Sequence, residues 1–90
     1  MERFRYFLPI VSEGDYDAFR TPLGAQAPAT YNEWMKMIGE REKESVLRQE
    51  DAIKIPIKTR DFSTYCRTHG EDANMASLFR FVQKVAIGET

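Results

Sequence analysis

One cysteine and one histidine in 90 residues leave little room for thiol or metal chemistry. A lone Cys66 excludes an intrachain disulfide framework and any cysteine-rich zinc module. Long apolar runs are missing as well. The longest, Tyr6 to Val11, spans six residues and contains Pro9, whereas roughly 20 are needed to cross a bilayer. That run is also too short for a signal-peptide core, and no small-residue cleavage site follows it. Neither Asn32 nor Asn74 begins an Asn-x-Ser/Thr acceptor. Charge of one sign is lacking too. Thirteen Lys plus Arg against fourteen Asp plus Glu leave a net charge of −1, so no global field draws in nucleic acid or an anionic membrane. A reduced thiol and the absence of targeting signals point to a cytoplasmic protein with no membrane contact.

Motifs of catalysis are equally sparse. There is no Gly-rich phosphate loop, no Gly-x-Ser-x-Gly and no His-Glu-x-x-His. Carboxylates are numerous, but none forms a pair in an apolar setting. The expectation is therefore a non-enzyme that uses no cofactor and no metal.

What the chain does have is the composition of one folded domain, residues 1–90. Hydrophobic residues make up 42% and charged residues 30%, which argues against disorder. A chain of this size buries about 64% of its unfolded surface, marginal but workable without cross-links.

Periodicity supplies the elements. Phe4, Tyr6, Leu8 and Ile10 share one phase of a two-residue repeat, predicting a strand over 3–11. Pro9 has no N–H to give a ladder, so it must stand at an edge or where pairing stops. Asp15 opens a short helix over 16–20, which Pro22 and Gly24 stop. Thr30-Tyr31-Asn32-Glu33 is a capping-box sequence. It opens a helix that presents Tyr31, Trp34, Met35 and Ile38, then continues through a charged stretch to Val46 and Leu47 unless Gly39 ends it early. Ile53, Ile55 and Ile57 alternate with Lys54, Pro56 and Lys58. This predicts a strand with isoleucines inward and an outer edge blunted by lysine and proline. Thr59 is placed to cap a helix that Gly70 closes, and Asp72 to cap a last helix ending before Gly88. In that last helix Met75, Leu78, Phe79, Val82, Val85 and Ala86 form the apolar stripe, with Phe81 at its rim. The predicted architecture is α+β: a small two-stranded sheet of the N-terminal strand and the Ile53–Ile57 strand, covered by a long helix and a C-terminal helical hairpin.

Three constellations suggest function. Cys66 and His69 lie three positions apart on one helix, the spacing of a thiol beside a base. The helix direction opposes that chemistry, because the partial negative charge of a C-terminus disfavours a thiolate. Residues 62–83 have the outline of a helix-turn-helix, but the turn carries Glu71 and Asp72 and the second helix offers only Arg80 and Lys84 outward. Finally, Arg3 and Arg5 interleave with Phe4 and Tyr6, and Lys54 and Lys58 flank the second strand. Such a basic-aromatic surface is a candidate platform for single-stranded nucleic acid.

The functional expectation is a small interaction or accessory protein that binds a protein partner or a second copy of itself. Its candidate surface comprises Arg3, Arg5, Lys54, Lys58 and Phe81. The alternative is a nucleic-acid-binding module using the basic strand surface or the C-terminal hairpin. Local charge is opposed in a way that suits a homodimer: +3 over residues 52–70 and −3 over residues 12–33.

Overall fold

The computed structural model describes residues 4–88. Two strands, β1 (Arg5–Ile10) and β2 (Asp51–Pro56), pair in parallel. Between them the chain forms a short helix α1 (Tyr16–Arg20), 3-10 turns over Thr21–Gln26, and the long helix α2 (Tyr31–Leu47). Parallel pairing requires such a crossover. Helices α3 (Thr59–His69) and α4 (Met75–Ala86) follow as a hairpin. The fold is a small α+β arrangement, as the periodicities predict.

The ladder explains the prolines. Register pairs Arg5 with Asp51 and Ile10 with Pro56. The Phe4 and Ile10 carbonyls accept the amides of Asp51 and Ile57 at 2.8 and 2.9 Å. Bonds in a parallel ladder recur every second residue, so β1 turns its even-numbered groups toward β2. The Pro9 nitrogen therefore lies on the outer edge of β1. By the same alternation β2 pairs through its odd-numbered residues, and the Pro56 nitrogen lies on the opposite outer edge.

Helix α2 begins as its capping sequence requires, with one limb altered. The Glu33 amide donates to Thr30 Oγ1 at 3.2 Å. In place of a carboxylate–amide return, the Thr30 hydroxyl donates to Glu33 Oε1 at 3.0 Å. The helix runs unbroken through Gly39 and ends with Gln49 at φ +60°. Amides of Gln49 and Glu50 bond back to the carbonyls of Val46 and Ser45 at 3.0 and 2.8 Å. This is a Schellman closure with glutamine where glycine is favoured.

Two expected caps move by one or two positions. Helix α3 is capped by Lys58, whose backbone is extended, and Thr59 is already helical. The Thr59 hydroxyl is buried without a partner among the described residues. Gly70 closes α3 at φ +62°, with the Glu71 amide donating to the Cys66 carbonyl at 2.9 Å. Helix α4 is capped by Asn74 and not by Asp72. Asn74 Oδ1 accepts the Ser77 amide at 2.9 Å, and Ser77 Oγ accepts the Asn74 amide at 3.0 Å. A serine thus completes the box that glutamate usually completes.

The core is largely aromatic. Ring pairs run from Trp34 to Phe19 (5.1 Å), Phe19 to Phe62 (6.5 Å), Phe62 to Phe81 (5.7 Å) and Phe81 to Tyr65 (5.4 Å). One column of rings therefore ties α1, α2, α3 and α4 together, each pair contributing about 0.5–1.5 kcal/mol beyond its area. Leu8, Ile38, Leu78 and Val82 fill the space around it. Trp34 is fully buried, and its Nε1 has no acceptor among the described residues, a cost of about 1–3 kcal/mol that the ring packing offsets. On the sheet, Tyr6 stacks on Phe79 of α4 at 6.1 Å and accepts a hydrogen bond from Arg41 Nη1 of α2 at 3.0 Å. The Arg41 guanidinium also lies 5.0 Å over the Phe79 ring, so a single clamp joins β1, α2 and α4. Strand β2 ends at Pro56, one residue before the predicted Ile57, and burial follows the predicted phase only in part. Ile57 is buried, whereas Ile53 and Ile55 are half-buried.

Candidate interaction surface

The proposed surface residues do not assemble into one patch. Arg3 lies outside the described residues. Arg5 is exposed at the start of β1, across from Asp51. Lys54 is exposed on β2, and its ammonium is 3.6 Å from Glu42 of α2. Lys58 is exposed at the cap of α3. With about 3.3 Å of rise per residue, Lys54 and Lys58 stand roughly 10 and 23 Å along the sheet from the Arg5 level. Arg5 and Lys54 also differ in phase and project from opposite faces. The basic residues are thus strung along the molecule, one of them paired with a carboxylate.

Phe81 is a correction. It is 5% exposed, packed between Phe62 and Tyr65, and cannot be a surface anchor. The helical stripe of α4 is wider than its own periodicity suggests because α3 packs alongside it and covers the rim.

Cys66 and His69 are not brought into contact as an acid–base pair. The thiol is 7% exposed, with Sγ 4.0 Å from the Ser77 hydroxyl. Burial pushes its pKa up, against a smaller opposing effect of the Ser77 hydrogen bond. His69 donates from Nδ1 to the Tyr65 carbonyl at 3.0 Å and stacks on the Tyr65 ring at 4.3 Å. The thiol thus faces α4 and the imidazole is held to the last turn of α3.

The helical hairpin loses part of its basic face in the same way. Arg80 pairs with Glu71 from the turn. The Tyr65 hydroxyl and Arg80 together hold the Glu71 carboxyl below the usual carboxylate range. Among the described residues no group of three or more His, Cys, Asp or Glu side chains is placed to hold a metal ion. No described helix is long and apolar enough to cross a membrane.

Large apolar side chains are displayed elsewhere. Phe4 is 82% exposed, Leu47 84% and Val46 63%. Val46 and Leu47, on the last turn of α2, line a groove of about 670 Å³ with Glu42, Lys43, Glu50, Asp51 and Ala52. Phe4 stands at the same end of the sheet, its carbonyl bonded to Asp51. A second groove of about 670 Å³ runs between α3 and α4 over Tyr65, His69, Phe81 and Lys84. Its aromatic floor already carries contacts, since His69 stacks on Tyr65 and the Lys84 ammonium lies 5.8 Å from the same ring. The exposure of Val46 and Leu47 had one signal in the sequence: they follow the charged run Glu40 to Glu44, where the apolar period of α2 has lapsed. Compared with protein-family models, curated proteins and solved structures, the chain matches none.

Proposed function

We propose that this chain is a small non-enzymatic interaction protein that binds a protein partner through the end of the molecule formed by α2 and β2. One observation carries the reading: Val46 and Leu47 are largely solvated on a helix end whose backbone is closed by hydrogen bonds to the Glu44, Ser45 and Val46 carbonyls. Apolar side chains on an ordered backbone cost solvation in the free protein and are repaid when a partner covers them. The lone buried thiol fits work in the cytoplasm. A nucleic-acid-binding reading would draw on Arg5, Lys54 and Lys58, which are spread over two faces, with Lys54 held by Glu42.

Affinity capture from native lysate, with wild-type and Leu47→Glu chains as paired baits, tests the proposal. A stoichiometric partner, or a second copy of the chain, retained by the wild type and lost by Leu47→Glu supports it. Retention that is indifferent to Leu47 rejects the surface. Salt-dependent binding of single-stranded nucleic acid, abolished by Lys58→Glu, would replace this reading with the nucleic-acid one.

A further inference from the structure

We draw no further inference here: the strongest candidate, an anion site at the N-terminus of α3 where the Lys58 cap makes no side-chain capping bond among the described residues and Lys58 and Arg60 are exposed, rests on a helix N-terminus alone, since the unpartnered Thr59 hydroxyl belongs to a half-buried residue and Asp61 already answers the helix dipole in the first turn.

Discussion

Replacing Phe81 by alanine should separate buried from displayed apolar residues more sharply than any other single change. Phe81 is 5% exposed and touches the rings of Phe62 and Tyr65 at 5.7 and 5.4 Å. Truncation of a buried phenylalanine costs about 3–5 kcal/mol, part from lost transfer and part from the cavity left behind. Two factors adjust that range here. Loss of two ring pairs adds to the cost, while the neighbouring groove over Tyr65 and Lys84 gives the site room to relax or admit water. An expectation of about 3–4 kcal/mol follows, a large fraction of the roughly 5–13 kcal/mol a domain of this length possesses. Leu47→Ala, at 84% exposure, should cost less than about 0.5 kcal/mol. Urea unfolding followed by tryptophan fluorescence measures both, because Trp34 sits in the same ring column. The comparison is valid where the midpoint moves at unchanged slope. A cost below about 1 kcal/mol for Phe81→Ala, or above about 2 kcal/mol for Leu47→Ala, would refute the assignment of core and surface.

Three further outcomes are expected. Gln49→Gly should stabilise by up to about 1 kcal/mol, since it removes the left-handed strain of a residue with a Cβ at φ +60° and returns part of the gain as unfolded-chain entropy; destabilisation in thermal melts would contradict it. Cys66 should react with iodoacetamide far more slowly in the native protein than in urea at neutral pH, because its pKa is raised by burial; equal rates would reject a buried thiol. Glu71 is held below its ordinary pKa by Tyr65 and Arg80, so its contribution is fully present above pH 4.5 and is lost as pH falls through the lowered value. Glu71→Gln should therefore unfold with a shallower pH dependence on the acid side, and an acid limb identical to wild type would sink the assignment.

Much of the fold was legible because each element carries its own local signal. The alternation of Ile53, Ile55 and Ile57, the Thr30–Glu33 box and the glycine at 70 each act over five residues or fewer. What could not be read depends on contacts between elements. Phe81 looks like a rim residue on a helical wheel, yet α3 supplies Phe62 and Tyr65 to cover it. The sequence carries the helix on to Val46 and Leu47 without saying which way they face; the turn at Gln49 folds Glu50 back onto the Ser45 carbonyl, and Ser45 is the residue turned inward. The cap of α4 was missed because Ser77 stands where the familiar box has glutamate or glutamine. The basic candidates were placed on the right elements, but the phase and rise of the strands disperse them.

The prolines on the two outer edges of the sheet have a consequence for the chain before it folds. Arg5–Ile10 carries two aromatics and an isoleucine and Asp51–Pro56 two isoleucines, residue types that favour pairing between strands. They pair with each other only after 40 intervening residues have been ordered, so both stay unpaired while a nascent chain searches for its fold. One proline in each segment denies a neighbouring chain a continuous row of amides, and in the finished ladder neither nitrogen is asked for a bond. Gatekeeping against aggregation during synthesis thus costs the native sheet none of its own hydrogen bonds.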